Sequence, residues 1–156
     1  MCSRRHLLYF FTLLLACCYY NTAQSNLDIL HQLSTAERLS IAHRIWANES
    51  QGRITGLTHW NPGERFAAMG IGHFTWYPAP HRYHGTFAQL LKYFQKHHVT
   101  LPAWLRAQSQ PACPWPNRHA FYQDINSPMM QDLRTFLYAN INLQVDFMIE
   151  RLENSL

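Results

Sequence analysis

The sequence predicts an α+β domain that is mainly helical and carries a small antiparallel β hairpin. Three observations lead there. Apolar residues follow helical spacing through Thr35–Ser50 and do so again in later segments. Between Arg53 and Pro80 that period vanishes, and Gly56, Pro62, Gly63, Gly70 and Gly72 divide the chain into short runs holding Ile54, Leu57, Phe66, Ile71 and Phe74. With 47% hydrophobic and 14% aromatic residues, the chain has the material for one packed core, and it shows no internal repeat.

At the N-terminus, Arg4, Arg5 and His6 precede an apolar run from Leu7 to Cys18, followed by polar residues from Asn21 to Asn26. That order is a secretory signal, and the run is short of the roughly 20 residues a membrane span needs. Ala23-Gln24-Ser25 fits a small-x-small cleavage site, so residues 1–25 are read as the signal peptide and 26–156 as a single domain. Leu14-Leu15-Ala16-Cys17 offers the other exit, a lipobox-like sequence that would leave a lipid on Cys17. Either way the protein is expected to be exported, periplasmic or secreted, with no stable membrane span after cleavage.

The signal takes Arg4 and Arg5 out of 13 basic residues and none of the nine acidic ones, which leaves only a slight positive excess. The remaining Lys and Arg are scattered, so nothing indicates a nucleic-acid partner. Three of four cysteines lie in the signal region, and Cys113 alone is retained, so the mature domain cannot close an internal disulfide.

Ser34-Thr35-Ala36-Glu37 has the form of a capping box and opens a helix to about Ser50, with a short lead-in helix over Asn26 to Leu33. Ala42, Ile45, Trp46 and Glu49 share one face of that helix, which Gly52 ends. A hairpin follows, turning at Asn61-Pro62-Gly63. Thr86 is expected to cap a helix burying Phe87, Leu90, Leu91 and Phe94, with His97 and His98 at its negative end. A short helix after Thr100 carries Trp104 and Leu105. Three prolines make Pro111–Pro116 a surface-lying loop. Ser127-Pro128 starts a helix with Met130, Leu133, Phe136 and Leu137 inside. The last helix spaces Val145, Met148, Ile149 and Leu152 alike.

A carboxylate on the apolar side of a helix's last turn would be desolvated, which favours its protonated form and suits it to donate a proton to a leaving oxygen. Glu49 occupies that place, at a junction of helix and Gly-rich sheet bordered by aromatic residues. The bland alternative is an ion pair of Glu49 with Arg53 or Arg65.

Glu49, followed by a hairpin and then Gly70-Ile71-Gly72-His73-Phe74, resembles the catalytic glutamate and GIGH segment of phage-type lysozymes; Glu49-Ser50 is also similar to the Glu-Ser pair of soluble lytic transglycosylases and goose-type lysozymes. The likeness covers Ile45 to Tyr77. It implies a lysozyme-like fold and a peptidoglycan-cleaving glycosidase, muramidase or lytic transglycosylase, acting on the β-1,4 bond between N-acetylmuramic acid and N-acetylglucosamine in peptidoglycan glycan strands. Glu49 would be the general acid, and His73 a hydrogen-bonding residue at the base of the hairpin. A non-catalytic glycan-binding or envelope-interaction protein of the same fold is the alternative.

The chain departs from the phage-type pattern where it places an aspartate and, two residues before the first glycine, a threonine: here stand Asn61 or Glu64, and Ala68. Glycoside hydrolysis ordinarily uses two carboxylates. Glu64 is therefore the second catalytic candidate, unless NPGE is simply an exposed turn, and a single-acid transglycosylase mechanism is the other route. Thr58, Trp60, Asn61, His73, Trp76 and Tyr77 are the expected substrate-binding residues, with Thr55 and Trp115 as further candidates. His59, His73, His81 and His84 crowd one region, but zinc-ligand spacing is absent, so neither a metal nor another cofactor is expected.

Overall fold

The computed structural model describes residues 32–81, 85–107 and 111–155. The signal segment, the lipobox, His84 and nearly all of the expected lead-in helix lie outside them. Six α-helices surround a three-stranded antiparallel sheet among the described residues: α1 (Thr35–Ser50), β1 (Thr58–His59), β2 (Ala67–Met69), β3 (Phe74–Trp76), α2 (Thr86–Lys96), α3 (Ala103–Arg106), α4 (Arg118–Gln123), α5 (Pro128–Ala139) and α6 (Ile141–Glu153). No described helix is long and apolar enough to cross a membrane.

The expected capping box is formed. Ser34 Oγ accepts the Glu37 N–H at 3.3 Å, and Glu37 Oε2 accepts the Ser34 N–H at 2.8 Å, satisfying two donors that a helix start leaves open. The Ser34 hydroxyl, donating to Glu37 Oε2 at 2.6 Å, and then the Ser34 N–H hold the Glu37 carboxyl below its ordinary range. Gln51 ends α1 in the left-handed region at φ 52° and Gly52 follows at φ 64°. Of the expected helix face, Ala42 is buried and Ile45 and Trp46 pack against the core.

A 3-10 turn over Ile54–Leu57 leads into β1. Thr58 pairs with Met69 and His59 with Ala68, and β2 then pairs Ala67–Met69 with Trp76–Phe74. The turn lies where the proline and glycine put it, with Gly63 at φ 81°. A second hairpin follows from the glycines of GIGHF. Gly70 is at φ 71°, and a Cβ there would lie 2.1 Å from Gln144 Oε1; one at Gly72 would lie 2.6 Å from the Phe74 ring. Only glycine lets this turn press so closely on α6 and on its own aromatic neighbour.

Helix α2 buries the expected stripe, but Gly85, not Thr86, is its N-cap. A Cβ at Gly85 would approach Thr75 O to 2.3 Å, so the chain enters α2 pressed against β3. Thr86 Oγ1 is occupied instead by the Thr75 N–H at 2.9 Å. The loop Pro111–Pro116 is irregular, as its prolines demand, but it does not lie on the surface: Pro111, Cys113 and Trp115 are buried. Its backbone is tied down just past β3, since Cys113 N–H donates to Tyr77 O at 3.0 Å and the Trp76 side-chain Nε1–H donates to Pro111 O at 2.9 Å. Helix α4, absent from the sequence reading, is capped by Asn117 Oδ1 accepting the Ala120 N–H. Ser127 caps α5 as expected. Helix α6 turns Ile141, Gln144, Val145 and Phe147 inward, and Leu152 at 49% exposure falls off that face.

Candidate functional site

A cleft of about 430 Å³ lies between the end of α1, the hairpin and the segment joining α4 to α5. Glu49, Arg53, Thr58, His59 and His73 line one side of it, and Tyr122, Ile125, Asn126 and Arg134 come from 49 or more residues later in the chain. Local sequence therefore supplies the near wall, and α4 and α5 close the rest.

Glu49 is on the cleft, carried there by the last turn of α1. Its side chain is 51% exposed, so the desolvation expected from the helix face is not found: the apolar face is buried by Ala42, and one turn further the helix outruns the core. Its neighbour is neither Arg53 nor Arg65. Glu49 Oε2 stands 3.8 Å from His73 Nε2, a ring nitrogen that is itself buried and has no hydrogen-bond partner. His73 occupies the left-handed region at φ 48°, which is uncommon outside glycine, and the turn GIGH thereby aims the ring across the hairpin toward α1.

His59, on β1, meets the His73 ring edge-on at 4.5 Å. Partial burial and the neighbouring His73 lower the His59 pKa below its ordinary 6.5, against the opposing influence of Glu64. His59 is thus biased toward the neutral imidazole, able to accept a proton near neutral pH. Among the described residues no three His, Cys, Asp or Glu side chains are grouped to hold a metal ion.

The other expected residues separate sharply. Thr58 lines the cleft, but it is buried and its Oγ1 accepts Arg134 Nε–H at 2.7 Å. Trp60 and Trp76 belong to the core, at 2% and 0% exposure, and offer no face to a ligand. Trp60 packs on Phe121 and donates Nε1–H to Glu64 O; Trp76 packs on Phe87. Flanking prolines and loops misled here, because those loops fold inward. Tyr77 packs on Phe66 away from the cleft. Asn61 and Glu64 sit together in the hairpin turn, Asn61 Nδ2 donating to Glu64 Oε2 at 3.3 Å, and neither lines the cleft. Glu64 is therefore not placed opposite Glu49 as a second acid, and the reading of NPGE as a turn is the one this structure favours.

Tyr122, Ile125, Asn126 and Arg134 escaped the sequence reading, and two of them bear on chemistry. Tyr122 is the aromatic that lines the cleft; its hydroxyl is 3.3 Å from both the N and the O of Trp60, and the Arg118 guanidinium covers its ring at 4.6 Å. The signal for it was the Asn117 cap, which starts the short helix that presents it. Arg134 is a buried guanidinium on the inner side of α5, at 6% exposure. It interrupts an apolar stripe at Leu133, Phe136 and Leu137, a pattern break that was visible. No protein-family model, curated protein or solved structure matches the chain.

Proposed function

We propose that this protein cleaves the β-1,4 bond between N-acetylmuramic acid and N-acetylglucosamine in peptidoglycan strands, with Glu49 as the general acid in a lysozyme-like fold. The reading is carried by one observation: Glu49 is, among the described residues, the sole carboxylate lining the cleft, set against the GIGH turn through His73. Export of the chain would bring it to the wall polymer.

With no second carboxylate lining the cleft among the described residues, the single-acid route suits the residues present. Glu49 protonates the glycosidic oxygen as the C1–O4 bond breaks, and positive charge develops at C1 and the ring oxygen. The sugar's own C6 hydroxyl then attacks C1, closing an anhydro ring, and its proton returns to Glu49. Atoms balance without water, and the acid is regenerated. A bound sugar would itself cover the exposed carboxylate and displace water from it.

His59 favours a second outcome at the same site. A neutral imidazole lining the cleft could take a proton from water, and attack by that water at C1 would leave a reducing end instead. Incubating purified sacculi with wild type and with Glu49→Gln tests the proposal: soluble fragments are expected only from the wild type. Release by both would remove Glu49 from its role, and release by neither would support the non-catalytic glycan-binding reading.

A further inference from the structure

Arg134 carries its charge to the cleft without an ion pair among the described residues. Its guanidinium donates Nε–H to Thr58 Oγ1 at 2.7 Å and Nη1–H to Ile125 O at 2.9 Å, both uncharged acceptors. Among the described residues no carboxylate pairs with it. Burial lowers its pKa, yet an arginine remains cationic, so the structure has taken a cation out of water without giving it an anion. The two bonds fix the planar group and hold its Nε and Nη1 edges against protein, leaving Nη2 outside any hydrogen bond in a residue that lines the cleft. Arg53 is a second guanidinium on the same cleft, against Glu49 as the one carboxylate lining it among the described residues. A fixed, incompletely bonded guanidinium in a basic cleft is built to receive an anion.

We infer that Arg134 forms an anion subsite that takes the free lactyl carboxylate of an N-acetylmuramic acid residue from which the stem peptide has been removed. This rests on the reading of the cleft as a peptidoglycan-glycan site. Of the strand's two sugars only the muramic acid bears a carboxyl substituent, and in the intact polymer that group is tied up as an amide with the peptide. An amide carbonyl offers Arg134 a neutral acceptor; the free carboxylate offers a full charge in a place where water screens it poorly. The preferred substrate is then a peptide-free glycan strand. The reaction that must supply it is hydrolysis of the amide between the lactyl group and the first amino acid.

The test begins with the wild-type protein and three probes: N-acetylmuramic acid, the same sugar with its lactyl group as the carboxamide, and N-acetylglucosamine. Binding followed by amide chemical shifts is expected to favour the acid by about tenfold or more over both neutral sugars, the scale of one charge-assisted hydrogen bond. Arg134→Gln should abolish that preference, and Arg134→Lys should keep part of it. If a variant fails to fold, the wild-type comparison of acid with carboxamide still decides. Cleavage of peptide-stripped strands should likewise exceed that of intact sacculi. Equal binding of acid and carboxamide overturns the inference even if strands are cleaved. An acid preference lost in Arg134→Gln, with no strand cleaved, keeps the anion site and overturns the glycosidase reading.

Discussion

Glu49 Oε2 and His73 Nε2 stand 3.8 Å apart, one on the last turn of a helix and the other on a left-handed residue of a β turn. The contact joins the two sequence features that first drew attention, and it gives the GIGH turn a positioning role beyond packing. His73→Ala should therefore lower strand cleavage by about tenfold or more, since a misplaced acid loses much of its effect. Because the His73 ring is partly exposed, the melting temperature should move little. The loss should fall on kcat with KM nearly unchanged; a rate equal to that of the wild type would mean that the imidazole only fills space.

Gln144 holds the same turn from behind. Its Oε1 accepts the Ile71 N–H at 2.9 Å and its Nε2 donates to Leu137 O at 2.7 Å, with the side chain wholly buried. Gln144→Leu would strand the Ile71 N–H and leave Leu137 O with the Asn140 N–H alone, at a cost of roughly 1 to 3 kcal/mol. Gly70→Ala would force a Cβ onto that amide at a positive φ, for about 2 kcal/mol or more. Urea unfolding of the two variants measures both costs. The double variant should lose less than the sum, because both changes act on one contact.

The pH dependence of His59 has a definite sign. Its pKa in the folded protein lies below 6.5, so the unfolded chain takes up the proton first as pH falls. The stability tied to the neutral ring is fully present above about 6.5 and is lost as pH falls from there through the folded value. Proton-detected titration of the His59 ring should give a midpoint below that of an exposed histidine. His59→Gln should flatten the stability profile in this window.

Cys113 is 4% exposed, and burial pushes its thiol up to about 12. Alkylation at pH 8 should therefore be slow in the folded protein and fast in denaturant, read as mass gain on the peptide holding Cys113. Rapid labelling of the native protein would contradict the packing of the Pro111–Pro116 loop.

The helices that bury a regular stripe were legible because each carries its own boundary: Ser34 and Ser127 cap, and Leu90, Leu91 and Phe94 or Leu133, Phe136 and Leu137 repeat at helical spacing. Glu49 and His73 were legible through their place beside those boundaries. Trp60 and Trp76 were not, since a tryptophan in an irregular segment reads the same whether the segment folds outward or, as here, over a core. Tyr122 and Arg134 reach the cleft only through the packing of α4 and α5 against the hairpin, a relation across more than sixty residues that no local pattern encodes. The chemical consequence is largest at Glu64, which sequence position made a plausible partner for Glu49 and which the hairpin turns away.

The end group left on the glycan tests the central claim most directly. Peptide-stripped strands incubated with wild type and Glu49→Gln, their products weighed by mass spectrometry, should show 1,6-anhydro muramic ends from the wild type and at least a hundredfold fewer from the variant. Undiminished cleavage by Glu49→Gln, whatever the end formed, would contradict the assignment of Glu49 as the proton donor.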